Sequence, residues 1–228
     1  MSEEIKKMFS GISKHYDYMN NVMSFGLHHV WRKRLVKISG AKPGDHVLDT
    51  ASGTGDLAIE FKKVVKEGRV LATDFCSDML KHLPMKAIKK DVEIDAELAD
   101  ILDLHFENNT FDIAGISFGI RNVDDLYRAL AELTRVVKPG GKLMILETGK
   151  PKGFLKKIYD YYSKNIMPRL GKMLIDEEAA YTYLPITIEG FPYGQEFVDI
   201  MMSTGRFESV KAYPQFFGVS YIYDCTVK

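Results

Sequence analysis

Val47-Leu48-Asp49-Thr50-Ala51-Ser52-Gly53-Thr54-Gly55-Asp56 is the stretch that decides the fold. An apolar, β-branched run from His46 to Leu48 stops at a carboxylate, small residues follow, and a helical pattern opens at Asp56. Strand, sharp turn and helix N-terminus in that order make the nucleotide-binding corner of a doubly wound α/β sheet. Glycine suits such a corner because a ligand approaches the backbone closely only where no Cβ intervenes. Two glycines are present, Gly53 and Gly55, and Ala58 stands where a third would complete G-x-G-x-x-G. A lone G-x-G is a weak signal. It is strengthened by the next expected strand, Arg69 to Thr73, which ends at Asp74. That places an acid about 20 residues past the turn, where it can accept hydrogen bonds from the ribose hydroxyls of an adenosine ligand. Asp74 also stands where it can cap a helix beginning near Ser77, and the two roles are compatible.

Composition narrows the class. The 228 residues suffice for one large α/β domain with a well-filled core. Lys plus Arg and Asp plus Glu both number 31, so no net charge draws the chain toward nucleic acid. Cys76 and Cys225 stand far apart without a C-x-x-C, which argues against a zinc site or a disulfide framework and fits a reducing cytoplasm. No run of about 18 apolar residues is present, so no membrane span is expected. Glu3 and Glu4 precede any apolar stretch, unlike a secretory signal.

Outward from the corner, the alternation of strand and helix continues. A helix is expected from Gly55 to Lys66, another from Ser77 to about Lys89, and a strand from Val92 to Leu98 followed by Ala99 and Asp100. Phe111 to Ser117 reads as the fourth strand and ends in Phe118-Gly119-Ile120-Arg121-Asn122-Val123. Strand C-termini face the ligand crevice of an open α/β sheet, which sets Ser117, Arg121 and Asn122 beside any bound ligand. A helix from Asp124 to Val136 and a fifth strand from Lys142 to Glu147 follow. N-terminal to the corner, residues 3 to 23 read as a helical, aromatic-rich arm, with a second helix from His29 to Ile38. From Pro151 the alternation stops. Phe154, Ile158, Tyr161, Tyr162, Ile166 and Leu170 form an apolar stripe interleaved with lysines and Arg169, and further helices are expected over Asp176 to Ile188 and Glu196 to Ser203. This stretch reads either as a cover for the sheet edge or as a lid over an apolar acceptor, its lysines then available to anionic lipid. Phe207 to Tyr213 and Gly218 to Val227 read as a closing hairpin.

The corner V-L-D-T-A-S-G-T-G-D resembles motif I of class I methyltransferases, which bind S-adenosyl-L-methionine. Two longer segments are more specific. Tyr16, Asp17, Met19, Asn20, Ser24, Gly26, His28 and Trp31 fit Y-D-x-M-N-x-x-x-S-x-G-x-H-x-x-W, the first signature of the ubiquinone/menaquinone biosynthesis C-methyltransferases of the UbiE type. The run from Arg135 to Glu147 resembles the second signature of that family, and Ser117 to Val123 resembles another of its segments. Gly149 departs from a serine usual near that position, and Val219 to Asp224 lack a histidine common at the family's C-terminus.

The resemblance implies a seven-stranded, mostly parallel sheet with a C-terminal antiparallel hairpin. It makes residues 1–228 one methyltransferase domain, with a helical arm over 1–40 and a helical lid over 151–204. It implies C-methylation of a prenylated quinol such as demethylmenaquinol, with S-adenosyl-L-homocysteine as by-product, no metal, and no nucleic-acid partner. Peripheral membrane contact and a homodimer are both compatible with it. The donor is expected on Asp49, Ala51, Gly53, Gly55, Asp74, Asp100 and Ser117. Tyr16, Asn20 and Asn122 would orient the acceptor, and Arg121, His28 and Asp17 are the candidates for catalysis. Methyl transfer is an in-line displacement that depends on alignment. A quinol hydroxyl has a pKa on the order of 10. A base, or a cation stabilising the phenolate, would speed attack by the ring carbon roughly 10²–10⁴-fold. Arginine stays protonated, so Arg121 suits the second role. Two other readings are another apolar small molecule as acceptor and a non-catalytic scaffold that binds the same donor.

Overall fold

A computed structural model describes residues 3–151, 153–166, 169 and 187–228. Seven strands form one sheet in the order β3-β2-β1-β4-β5-β7-β6. They are β1 (Val47–Thr50), β2 (Val70–Asp74), β3 (Asp95–Leu98), β4 (Phe111–Ser117), β5 (Val137–Thr148), β6 (Phe207–Gln215) and β7 (Ser220–Val227). Strands β1 to β5 pair in parallel, and β7 runs antiparallel to both β5 and β6. The expected fold class is therefore the one found, closing hairpin included.

Period-two alternation sends successive side chains to opposite faces. Val47 of β1 and Ile222 of β7 join a core on one face with Leu35, Phe61 and Leu83. Leu48 and Tyr223 join the other core with Leu130, Leu133 and Phe197. The first face is covered by α3 (Leu27–Ser39), α4 (Asp56–Val65) and α6 (Leu83–Lys89), the second by α7 (Leu126–Val136) and α9 (Gln195–Ser203).

Some boundaries differ from the sequence reading, each for a local reason. The arm is two helices, α1 (Glu3–Ile12) and α2 (Tyr16–Ser24), separated by a turn. The helix expected from Ser77 to Lys89 is split into α5 (Ser77–Leu80) and α6, with Pro84 in the first turn of α6. Proline lacks an N–H, so it is tolerated there and not in a helix interior. Strand β3 begins only at Asp95, as an edge strand with little burial. Strand β5 starts at Val137, ahead of the Pro139-Gly140-Gly141 turn, and a register shift beside Phe111 absorbs the irregularity. Helix α8 (Phe154–Tyr161) and a π turn over Tyr162–Ile166 open the stretch expected as a lid. The helix expected over Asp176 to Ile188 lies almost wholly outside the described residues.

Candidate active site

The corner is held by its own carboxylates. Asp49, at the tip of β1, is fully buried, and its Oδ2 accepts the Ala58 N–H of α4 at 2.9 Å. Burial outweighs that bond and the nearby Arg32, and pushes the Asp49 carboxyl up to about 8. Asp74, at the tip of β2, accepts the Gly53 N–H on Oδ2 at 2.8 Å and the Cys76 N–H on Oδ1 at 2.9 Å. Burial raises its pKa as well. The strand-end carboxylate therefore fixes the turn before it meets any ligand, and each oxygen keeps a lone pair for one.

The two glycines of the turn do different things. Gly53 turns its amide to Asp74 and lines a narrow cleft with Ala51, Asp74, Ser117, Gly119 and Asn122. Gly55 lies outside that cleft. It has φ +87° at the start of α4, and a Cβ there would come 2.5 Å from Leu83 Cδ1. Its glycine identity is required by packing of the turn against α6. Phe9 of α1 and Tyr16 of α2 form the outer wall of the cleft.

Beyond Phe118 the cleft gives onto a second, larger cavity of about 470 Å³. Phe9, Tyr16 and Phe118 line both spaces. Phe118 adopts φ +59°, a strained conformation for a bulky residue that sets its ring between them. The arm, α3, α8 and the turn before β7 supply a mostly apolar wall, with Asn20, His28, Arg121 and Thr148 as polar points.

Arg121 sits at the end of β4, its side chain only 7% exposed. Its Nη1 donates to Glu147 Oε1 and to the Phe118 carbonyl, both at 2.7 Å. Glu147, fully buried, also accepts the Arg121 and Thr148 amides. Arg121 Nε is buried with no hydrogen-bond partner. His28 is 2% exposed, and Arg32 Nη1 donates to its Nδ1. That leaves the ring proton on Nε2, which faces Asn21 Oδ1 at 3.2 Å. Burial, then Arg32 and His29, pushes the imidazole down to about 3, so it is neutral. Both of its nitrogens are engaged within the protein.

Asp17 lines neither space. Thr54 Oγ1 donates to its Oδ1 at 2.5 Å and Lys86 Nζ to its Oδ2 at 2.7 Å. Asp100 stands apart from the cleft, in the turn after β3, where its Oδ1 accepts the Leu102 N–H at 3.0 Å. Ser117 lines the cleft and accepts from Arg32 Nε at 3.1 Å. The structure thus brings Ala51, Gly53, Asp74, Ser117, Asn122 and Tyr16 together at the cleft, and Asn20, His28 and Arg121 at the cavity. Asp49 and Gly55 support the corner from behind. His28, His29 and Asp56 have ligand atoms within 4.8 Å of one another. Arg32 and Lys86 already neutralise Asp56, which makes this an ion-pair cluster rather than a cation site.

Comparison with known proteins agrees with this geometry. The profile of the ubiE/COQ5 methyltransferase family matches residues 1–227. The chain belongs to the ubiE/COQ5 methyltransferase family. A ubiquinone/menaquinone biosynthesis C-methyltransferase UbiE from Bdellovibrio bacteriovorus is 47% identical, over 99% of this chain and 97% of that protein. One of the same description from Hydrogenovibrio crunogenus is 40% identical, over 89% of this chain and 82% of that one. Among solved structures, a SAM-dependent methyltransferase from Thermotoga maritima superposes with a TM-score of 0.66 at 19% identity, covering 97% of this chain and 99% of that one. Another from Aquifex aeolicus gives 0.59 at 19%, covering 86% and 89%. At these identities the structural likeness speaks for the fold alone. The chain is an S-adenosylmethionine-dependent methyltransferase of this family.

The corner of this methyltransferase carries groups of the kind that can meet a polar ligand. Small residues form its floor, the Asp74 carboxyl stands at a strand tip, and Ser52 Oγ and Asp49 Oδ1 are buried without partners at the same corner. Several residues of the site escape a reading by spacing. Glu147 and Lys86 act through contacts with residues 26 and 69 positions away. Phe118 does lie inside a recognised segment, and an aromatic between Ser117 and Gly119 at a strand tip is the signal that could have found it.

Proposed function

We propose that this methyltransferase C-methylates a prenylated quinol precursor, of the demethylmenaquinol type, in quinone biosynthesis. The observation that carries the reading is the join between the two spaces. The cleft at the motif corner, with Asp74, Ser117 and Asn122 as its polar points, shares Phe9, Tyr16 and Phe118 with an apolar cavity of about 470 Å³ that Arg121 also lines. An apolar acceptor with one or two ring hydroxyls matches that wall. The relatives named for ubiquinone/menaquinone biosynthesis support the same class.

S-adenosyl-L-methionine, when bound, supplies a methyl group already activated on sulfonium. Ala51 and Gly53 would hold it from below, and the Asp74 carboxylate would accept from its ribose. Asp100 is our candidate for the adenine end, since it follows the neighbouring strand β3. Arg121 lines the cavity, and its Nε–H is buried without a partner. The guanidinium would stabilise the phenolate formed as the quinol hydroxyl gives its proton to a water, and the activated ring carbon would then take the methyl group. Glu147 holds the guanidinium in place for this. His28, neutral and fixed by Arg32, adds no charge beside the aromatic ring. Asn20 and Asn122 would orient the acceptor and the donor's reactive end, and Tyr16 and Phe118 would keep water from the path between them. Through its bonds to Thr54 and Lys86, Asp17 would support catalysis by fixing the arm. The start of the lid, α8, walls the cavity and carries Lys156 and Lys157, which suits a lid that visits an anionic membrane surface.

The test is transfer of labelled methyl from S-adenosylmethionine to reduced demethylmenaquinone. Labelled menaquinol from the wild type supports the reading. Donor binding with no product from any prenylated quinol would move the acceptor to another apolar class.

A further inference from the structure

A network of charged side chains outside both spaces ties the arm to the corner. Lys86 Nζ donates to Asp56 Oδ1 at 2.5 Å, to Asp17 Oδ2 at 2.7 Å and to Thr54 Oγ1 at 2.9 Å. An ammonium has three donors, so this lysine is saturated. Thr54 Oγ1 in turn donates a hydrogen bond to Asp17 Oδ1 at 2.5 Å. Asp56 then contacts Arg32 at 3.3 Å, and Arg32 reaches His28 and Ser117. Burial alone would raise the Asp56 carboxyl, but Arg32 and Lys86 outweigh it and hold it below the ordinary carboxylate range.

Neither Lys86 nor Thr54 lines the cleft or the cavity. Both converge on Asp17, the residue after Tyr16, and Tyr16 lines both spaces. We propose that Lys86 and Thr54 form a latch that seats Asp17, and through it Tyr16, so that one polar contact closes the donor and acceptor sites together. In this scheme Lys86 is a positioning residue.

Three features favour a latch over plain scaffolding. First, a charged network of this kind contributes little net stability compared with an apolar cluster replacing all of it, although loss of one partner alone is costly. What it supplies is a single register for the segments it joins. Second, the latch is reversible. Side-chain bonds at partly exposed groups exchange with water, whereas a sealed apolar contact would hold the arm shut against both ligands. Lys86 is 22% exposed and Asp17 38%, so water reaches them. Third, the two helices of the arm are tied down at different points. Ser10 Oγ of α1 donates to Asp78 on α5, and Tyr162 donates to the Met23 carbonyl near the far end of α2. Lys86 and Thr54 hold the start of α2 to the corner.

The inference rests on the cleft being the donor site, and its test separates the two. Hydrogen exchange of amides 16–24 is measured in ligand-free protein for wild type, Lys86→Met, Lys86→Arg and Thr54→Val. Calorimetry then gives the affinity for S-adenosylmethionine. For Lys86→Met we expect at least tenfold faster exchange confined to residues 16–24, and about tenfold weaker donor binding. KM for the acceptor should rise by a similar factor, with kcat within threefold of wild type. Lys86→Arg should recover most of the affinity, and Thr54→Val should lie between. Unchanged exchange at 16–24 in both Lys86→Met and Thr54→Val would overturn the latch. So would acceleration spread evenly through β1 and α4, which would mark a structural role. Wild type that binds no donor would overturn the reading of the cleft, and the exchange result would still judge the latch.

Discussion

The cleft at the motif corner and the larger cavity, proposed for donor and acceptor, share Phe9, Tyr16 and Phe118 and otherwise draw on different parts of the chain. One side of the cleft is backbone and short side chains at adjacent strand tips, fixed by buried carboxylates that accept main-chain N–H groups, and Phe9, Tyr16, Phe75, Met79 and Phe118 line the rest. The cavity is made of long side chains from the arm, α3, α8 and the turn before β7, segments far apart in the chain. The cleft can be specified by a few residues at fixed spacing. The cavity depends on how distant segments pack. It follows that single changes in the cleft should be severe, and that those in the cavity wall should be graded and selective for the acceptor.

The sharpest challenge to that contrast is Arg121, which belongs to a strand tip but lines the cavity. Arg121→Ala should lower kcat/KM for methyl transfer about 10²–10³-fold, as loss of a charge-stabilising donor does. It should also cost about 3 kcal/mol of stability, because Glu147 would keep its buried charge without a cation. Arg121→Lys separates the effects: the charge beside Glu147 remains, and the fork that addresses the acceptor is lost. If Arg121→Lys transfers methyl at the wild-type rate with wild-type stability, the geometry of the guanidinium is not what the reaction uses.

Gly55→Ala probes the cleft from behind. The added Cβ meets Leu83 and the residue must hold φ +87°, so a loss of about 2–4 kcal/mol is expected in chemical denaturation. Gly53→Ala must also hold a left-handed φ, +58°, but should be milder for stability, since its Cβ would meet only side-chain ends, Met79 Cε at 3.2 Å and a Tyr16 ring carbon at 3.7 Å. Its effect should fall on donor affinity instead. Equal stability losses at the two positions would erase the division of labour between the glycines.

The same division shows what could be read from the chain alone. The corner, Asp74 and the order of strands follow from period, turn chemistry and strand-end placement, all local properties. Gly55 matched the same pattern for a different reason: only the fold shows that α6 lies against it. Asp17 matched a signature, yet its partners Thr54 and Lys86 come from the corner and from α6, and no local property links them. Glu147 ends an apolar strand, which gives no hint that it anchors Arg121. Proline at position 84 was visible as a helix breaker, although the stripe from Ser77 to Lys89 reads as one helix. The signatures conveyed chemistry that spacing could not, and the packing supplied the roles.

Asp49 offers a test by pH. Its carboxyl is raised from 3.8 to about 8 by burial, so the folded state keeps a proton that the unfolded chain releases. A group raised in this way contributes stability below its unfolded pKa and loses it as pH rises through the folded value. His28 works in the opposite sense: its pKa falls from 6.5 to about 3, so it costs stability only as pH drops below 6.5. Between pH 6.5 and 8 His28 therefore drops out, and Asp49 should contribute a fall of roughly 2 kcal/mol, with Asp74, also raised by burial, acting in the same direction. Asp49→Asn should flatten denaturation midpoints across that window while leaving the Ala58 bond in place. A wild-type midpoint that is already flat there would mean that the corner holds Asp49 as an anion.

The smallest effect tests the graded wall. Ile158 lies on α8, lines the cavity and is 52% exposed. Alanine at this helical position keeps the helix and removes only part of an apolar rim. At about 25 cal/mol per Å², the lost contact with a prenyl chain is worth on the order of 1 kcal/mol, or roughly fivefold in KM for the acceptor. Donor affinity should not move, because Ile158 is absent from the cleft. Ile88 on α6 is 74% exposed and lines neither space, so Ile88→Ala gives the matching control with no kinetic change. If Ile158→Ala weakens donor and acceptor alike, the cavity is not an independent acceptor wall, and arm, lid and cleft move as one unit. If it changes neither, the prenyl chain leaves by another side, past Phe216 and Phe217, and the same substitution at Phe216 should then raise KM.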